Sequence, residues 1–85
     1  MDRKSLKILG VLITDQAKDI ENLQYTLTKF GNIIRTRIGL NDLNEFDSDR
    51  RSMILLELYG DRSEMIKLED ALDRMVGLQI KKMDF

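Results

Sequence analysis

The sequences IENLQYTLTKF (residues 20–30) and MIKLEDALDRM (residues 65–75) carry the same apolar pattern at a fixed shift of 45 residues. In both, apolar side chains recur at steps of three, four and three, which is the spacing of one face of a helix. By the same shift, the strand-like run ILGVLI (residues 8–13) maps onto MILLEL (residues 53–58). Each half of the chain therefore predicts the order strand, helix, strand.

Two such halves in tandem predict an α+β fold, the ferredoxin-like βαββαβ sandwich. Right-handed crossovers give a four-stranded antiparallel sheet of order 4-1-3-2 with two helices on one face. We expect the whole chain, 1–85, to form one domain. The predicted strands cover about residues 5–13, 33–40, 51–59 and 78–84, and the predicted helices about 15–30 and 61–76.

Short local signals mark the ends of these elements. Gly31 and Gly77 follow the two helical patterns, where a left-handed residue commonly ends a helix. The pair Thr14-Asp15 precedes the first helix, and DRSE (residues 61–64) is close to a capping box before the second. The polar segment NDLNEFDSD (residues 41–49) predicts a hairpin loop.

Composition excludes several classes of function. The chain has no Cys and no His, so we expect no disulfide, no metal site and no cofactor held by these ligands. Its 14 basic and 15 acidic side chains are interspersed, which predicts neither nucleic-acid binding nor membrane binding. The first apolar run is too short to span a bilayer and lacks a cleavage site, so we expect a cytoplasmic protein.

Alternation along the strands predicts that both faces of the sheet are apolar. The side chains expected to point toward the helices are Leu9, Val11, Ile13, Ile34, Ile38, Ile54, Leu56, Leu58, Leu78 and Ile80. The opposite side, here named the open face, carries Leu6, Ile8, Gly10, Leu12, Met53, Leu55, Met83 and Phe85. A small soluble domain rarely exposes so many apolar neighbours, so we expect a homodimer or homotetramer joined through this face or the strand edges. The alternatives are that strand twist scatters these side chains, or that the stems of Arg35, Arg37 and Lys81 shield them.

The junction from Thr14 to Ala17, between the first strand and the first helix, is the best candidate ligand site. Free backbone N–H groups at a helix N-terminus favour an anion or carboxylate. A small polar or amino-acid-like ligand is expected near Asp15, Gln16 and Asn32. Ordinary helix capping by Thr14 or Asp15 is the alternative.

The other candidate sites each have a structural alternative. Arg35 and Arg37 are expected to project from the open face as a forked anion clamp. The alternatives are a cross-strand ion pair, with Arg35 diagonal to Glu57, or a rim contact between subunits. The loop oxygens of Asp42, Asn44, Asp47 and Asp49 do not fit a calcium loop, because Phe46 interrupts the spacing. The central strands lack the aromatic residues that RNA-recognition domains stack on bases. No nucleophile with an adjacent base can be assembled, so we expect no enzyme activity.

The runs ILGVLITD (residues 8–15), LTKFGNII (27–34), RTRIGL (35–40) and MVGLQIKKM (75–83) resemble the iron-only hydrogenase system regulator family. More distantly, the chain is similar to ACT domains and to the sensing domain of a nickel-responsive repressor. This resemblance implies a ferredoxin-like domain that dimerises or tetramerises and senses a small ligand at the strand-one to helix-one junction. Nickel binding in the repressor's manner is excluded, because that sensor uses His and Cys ligands.

The sequence therefore predicts a small homo-oligomeric, ACT-like regulatory module that senses a ligand and has no DNA-binding segment of its own. A structural or protein-protein interaction module without a small ligand is the alternative. An enzyme of the ferredoxin-like dimeric-barrel kind would instead need a deep pocket that holds a strongly shifted titratable group and is lined by Arg35, Arg37 or Tyr59.

Overall fold

The computed structural model describes residues 4–41 and 52–85. Residues 42–51 lie outside these described ranges. They include the predicted 41–49 loop from residue 42 onward and the four oxygen-bearing side chains considered for calcium binding. The order of helices and strands is the predicted one. The elements are β1 (Lys4–Ile13), α1 (Ile20–Lys29), β2 (Ile34–Asn41), β3 (Ser52–Asp61), α2 (Arg62–Asp73) and β4 (Leu78–Asp84).

The four strands form one antiparallel sheet of order β2-β3-β1-β4. β1 lies at its centre, with Leu9 opposite Leu56 of β3 and Lys82 of β4. Both helices cover the same face, because their buried side chains join one core cluster with alternate residues of the strands. The predicted ferredoxin-like topology and its strand order are confirmed.

Strand alternation and the helical repeat select the core. Burial of one large aliphatic side chain stabilises the fold by about 2 kcal/mol. The side chains with no exposed surface come from β1, β3 and α2: Leu9, Val11, Leu56, Leu58, Met65, Leu68 and Leu72. α1 adds Leu23 and Leu27, which are almost as completely covered. Apart from Ile20, which is 43% exposed, and Met75, which lies after α2, the two repeated apolar patterns are thus the inward faces of the two helices.

A β-bulge in β2 reverses part of the predicted orientation of that strand. Its register with β3 shifts between Ile34 and Thr36. Ile38 consequently lies opposite Leu55 on the open face and is 48% exposed, so its predicted position under the helices is wrong. An extra residue in a strand moves every later side chain to the other face.

The first helix begins five residues later than predicted. α1 starts at Ile20, and the carboxylate of Asp19 caps it by accepting a hydrogen bond from the backbone N–H of Asn22 at 2.9 Å. α2 starts at Arg62, but its N-cap Asp61 makes no side-chain capping bond, so the predicted capping box does not form.

The two glycines predicted to end the helices differ. Gly31 does not have a positive φ, whereas Gly77 has φ +84°. A Cβ atom on Gly77 would lie 2.1 Å from the backbone nitrogen of Ala17 and 2.4 Å from the carbonyl carbon of Gln16. Gly77 is therefore required for its backbone conformation and for the close passage of the β1–α1 segment.

Candidate functional site

The segment between β1 and α1, predicted to hold a ligand, closes onto the turn before β4. The Thr14 hydroxyl donates to the Gly77 carbonyl oxygen at 2.8 Å, and the Thr14 backbone N–H donates to the same oxygen at 3.0 Å. The Gln16 backbone N–H donates to the Thr14 hydroxyl at 3.2 Å. The side chains of Asp15 and Gln16 are exposed. Thr14 thus anchors the segment, while its two neighbours face outward.

Asn32 does not share this location. Asn32 lies two residues before Ile34. Ile34 and Lys7 of β1 pair with the same residue of β3, so they lie in one row across the sheet. Asp15 follows Ile13, which is six residues further along β1, and six residues of strand span roughly 20 Å. The three predicted ligand residues therefore do not form one cluster, because α1 runs the length of the sheet between Asp15 and Asn32.

The two arginines of β2 point in different directions. The Arg35 guanidinium lies over the Tyr59 ring, 5.2 Å from its centroid, at the edge of the open face. Arg37 donates a hydrogen bond to the side-chain oxygen of Gln24 on α1. The prediction that both project from the open face is wrong for Arg37, since the bulge turns it toward the helices. An anion clamp made of this pair does not exist in this geometry.

Glu57, considered as an ion-pair partner for Arg35, accepts a hydrogen bond from the Thr36 hydroxyl at 2.8 Å instead. Thr36 is the residue directly opposite Glu57 across the β2–β3 pair. The bulge thus places Thr36, rather than an arginine, beside this carboxylate.

The predicted interface residues come together on the open face. Six of the seven line a groove of about 430 Å³: Ile8, Gly10, Leu12, Met53, Leu55 and Met83. The missing side chain of Gly10 leaves the groove floor open, since a Cβ atom there would touch only Leu55, at 3.8 Å. Phe85, the seventh, is 74% exposed, and its backbone N–H donates to the Leu6 carbonyl oxygen.

Further apolar side chains enlarge this surface. The bulge adds Ile38 and Leu40 of β2, each almost half exposed. Leu6, Ile8, Leu12, Met53 and Leu55 are half-buried, while Met83 is 58% exposed. The open face is therefore a continuous apolar surface across the four strands, with Glu57 and Lys81 among its few charged residues.

An ionic cluster beneath α2, with Lys7 and Glu69 buried at its centre, is not among the features predicted from the sequence. The Lys7 ammonium lies 2.7 Å from Glu69 Oε1 and 3.0 Å from Asp84 Oδ1. Lys82 Nζ lies 3.9 Å from Glu69 Oε1 and 3.6 Å from Asp73 Oδ2. Lys7 and Glu69 are only 7% and 5% exposed. The cluster ties β1, α2 and β4 together on the helical face.

Two sequence positions carried a signal for this cluster. Lys7 occupies the same strand face as Leu9 and Val11, so alternation directs it into the core. Glu69 follows Leu68 within the inward stripe of α2. A charge at an inward position requires a buried partner of opposite sign. The hydrogen bond from Lys7 to Glu69 raises the lysine pKa above its ordinary value; Asp84 raises it further, and burial opposes both.

The described residues contain neither a candidate metal cluster nor a candidate membrane-spanning helix. Within 4–41 and 52–85, no three acidic, His or Cys side chains are grouped so as to hold a metal ion. No helix in those ranges has the length and apolar character needed to cross a membrane.

No protein-family model matches the sequence, and no curated protein matches it either. Among solved structures, an uncharacterized protein from Thermotoga maritima superposes with a TM-score of 0.82 at 23% identity, covering 98% of this chain and 99% of that one. The cofactor-independent oxygenase SnoaB from Streptomyces nogalater gives 0.54 at 10% identity, covering 95% and 92%. A dimeric ferredoxin-like protein from an uncultured marine organism gives 0.50 at 11%, covering 98% and 96%. At sequence identities of 10% to 23%, these comparisons show that the chains share the ferredoxin-like fold and no more than that.

Proposed function

We propose that this chain is a homo-oligomeric regulatory module whose copies pack through the open face of the sheet. The observation that carries the proposal is the continuous apolar surface around the 430 Å³ groove. The helices cover only the other face, and residues 4–41 and 52–85 provide no further element that would shield this one. A second copy of the chain is the simplest cover, because a two-fold axis pairs the patch with itself.

Charge and shape support self-association. Glu57 and Lys81 lie on the open face on opposite sides of β1, so the surface carries both signs around an apolar centre. Such a surface suits an isologous contact, in which each group can meet its counterpart of opposite sign. The dimeric protein from the uncultured marine organism has the same fold.

The regulatory part of the proposal rests on the resemblance to iron-only hydrogenase system regulators and ACT domains. The exposed side chains of Asp15 and Gln16 are accessible to a small polar ligand at the β1–α1 junction. Asn32 is not part of that proposed site. The competing function is a structural or protein-protein interaction module that uses the open face alone.

We also propose that the chain is not an enzyme. Arg35, Arg37 and Tyr59, the residues whose presence in a pocket would favour a dimeric-barrel enzyme, line neither the open-face groove nor a second groove, of about 700 Å³, between the helices. The oxygenase SnoaB has the same fold, but at 10% identity its likeness to this chain extends to the fold alone.

Charge placed at the centre of the open face tests the assembly. Leu12→Asp and Leu55→Asp should preserve the helix content seen by circular dichroism while lowering the mass measured by light scattering after gel filtration, because an unpaired buried carboxylate opposes the interface. Tyr25→Asp is the matched control, since Tyr25 is 68% exposed on the helical side. Wild-type elution of both leucine variants would contradict the proposal.

A thermal-shift screen distinguishes ligand sensing from pure interaction. A ligand that binds only the folded state raises the melting temperature as its concentration increases. We expect a concentration-dependent rise with a small polar ligand of the amino-acid class, weakened by Asp15→Ala. Unchanged melting curves with amino acids, nucleotides and metal ions would favour the interaction module.

A further inference from the structure

A second groove, of about 700 Å³, runs between α1 and α2, on the helical side of the sheet and therefore away from the open face. Its most buried lining residues are Leu23, Thr26 and Phe30. Three large apolar side chains on its lining are left open to solvent: Ile20 at 43%, Tyr25 at 68% and Val76 at 65% exposure. Its volume is within the range of small-molecule pockets, and most of its lining is apolar.

The charges on the groove are mostly positive. Lys18, Lys29, Lys67 and Arg74 line it, against the single carboxylate of Asp19. The whole chain, by contrast, has a net charge of -1. Basic side chains concentrated around an apolar groove, on a chain that is slightly acidic overall, favour an anionic ligand.

Two of these cations stand at the same end of the groove. Ala17 passes against Gly77 so closely that no Cβ atom fits between them, which brings the segment before α1 against the turn after α2. Lys18 follows Ala17 directly, and the α2 C-cap residue Arg74 precedes Gly77 by three positions. Among the described residues, no carboxylate forms an ion pair with either side chain within 4 Å. Lys67, in contrast, is paired with Glu64 at 3.1 Å.

We propose that this groove binds a small organic anion with an apolar body, such as a medium-chain carboxylate. The apolar body would lie against Leu23 and Phe30, and the carboxylate would pair with Lys18 and Arg74. Inorganic phosphate would use the cations but not the apolar lining, and a neutral lipid would use only the lining. This inference goes beyond the proposed function, because the site is on the opposite side of the sheet from the assembly surface.

The test titrates octanoate, and 1-octanol as its neutral counterpart, into the full chain. Binding of each is measured from the amide chemical shifts in NMR spectra. Octanoate should produce saturable shifts within residues 17–30 and 67–78. Octanol should bind about fivefold more weakly, because it cannot form the ion pairs. Inorganic phosphate should produce no saturable shift in these segments.

A charge variant completes the test. The double variant Lys18→Gln/Arg74→Gln should weaken octanoate binding about fivefold and leave octanol binding unchanged, since both side chains are exposed and the substitutions preserve the fold. Lys81→Gln on the open face is the control and should change neither affinity. Equal binding of octanoate and octanol, shifts confined to the strands of the open face, or no saturable shift would each overturn the inference.

Discussion

Gly77 shows how one residue can fix the path of a distant segment. Its carbonyl oxygen accepts two hydrogen bonds from Thr14, and its Cα atom faces the backbone of residues 16 and 17. Any side chain at this position would meet backbone atoms, which cannot rotate away as a flexible side chain can. The positive φ adds a conformational penalty for every residue other than glycine.

We predict that Gly77→Ala lowers the free energy of unfolding by at least about 2 kcal/mol, because a methyl group would force residues 16 and 17 to move. Urea unfolding followed by circular dichroism measures the change. Gly39→Ala is the control: a Cβ atom there has no neighbour within 4 Å among the described residues, so its effect should stay within about 0.5 kcal/mol. Equal effects of the two substitutions would contradict this account.

Removing one partner of the ion pair between Lys7 and Glu69 should also lower the free energy of unfolding measurably. Both side chains are buried, and Asp84 and Lys82 provide only partial compensation if one of them is removed. A buried charge without its partner destabilises a protein far more than the pair stabilises it.

Glu69→Gln should therefore lower the free energy of unfolding by about 3 kcal/mol, measured by urea denaturation at neutral pH. The matched control is Glu64→Gln, which removes the exposed pair with Lys67 and should cost less than about 0.5 kcal/mol. Replacing both partners, as in Lys7→Met/Glu69→Leu, should recover most of the loss. A loss for Glu69→Gln no larger than that for Glu64→Gln would show that the cluster is energetically neutral.

The raised pKa of Lys7 predicts where its contribution depends on pH. Because the folded pKa exceeds the unfolded one, the stabilisation is complete below the ordinary lysine pKa and is lost as the pH rises through the raised value. The stability difference between wild type and Lys7→Met should stay constant from about pH 7 to about pH 9 and then shrink at higher pH. A difference that already changes in the neutral range would contradict the assignment.

At the scale of secondary structure, the two helices begin in different ways. Asp19 closes the first turn of α1 with a hydrogen bond to Asn22, whereas Asp61 of α2 makes no such bond. Asp19→Ala should lower the free energy of unfolding by about 1 kcal/mol, and Asp61→Ala by less than about 0.5 kcal/mol. Thermal or urea unfolding of the two variants checks the difference, and a larger loss for Asp61→Ala would contradict it.

Elements whose patterns are periodic were predictable from sequence. The repeat at Leu23 and Leu27, matched by Leu68 and Leu72, gave the inward faces of both helices, and alternation around Leu9 gave the core face of β1. The orientation of these side chains is strongly determined, because shifting a strand by one residue would expose all of its core-facing apolar side chains to solvent.

The irregular features could not be read from these patterns. The bulge near Thr36 depends on pairing with β3, and it moved Ile38 to the open face and Arg37 toward α1. The late start of α1 depends on contacts of residues 14–17 with Gly77, which is distant in sequence. The position of Asn32 beyond the other end of α1, away from Asp15, follows only from the register between the strands, which the sequence pattern does not give.

At the scale of the whole molecule, the sheet has one covered face and one open face. A domain of 85 residues buries a limited core. The open face keeps apolar side chains such as Met83 and Ile38 in contact with water in a single copy. Association through this face would bury them and add hydrophobic stabilisation that the isolated domain lacks.

Sedimentation equilibrium of the wild-type chain determines whether the open face joins copies of the chain. We expect a mass of two or four times the 9.9 kDa of one chain at micromolar concentration. A mass of 9.9 kDa across the whole concentration range would contradict it, because the open face would then remain in water.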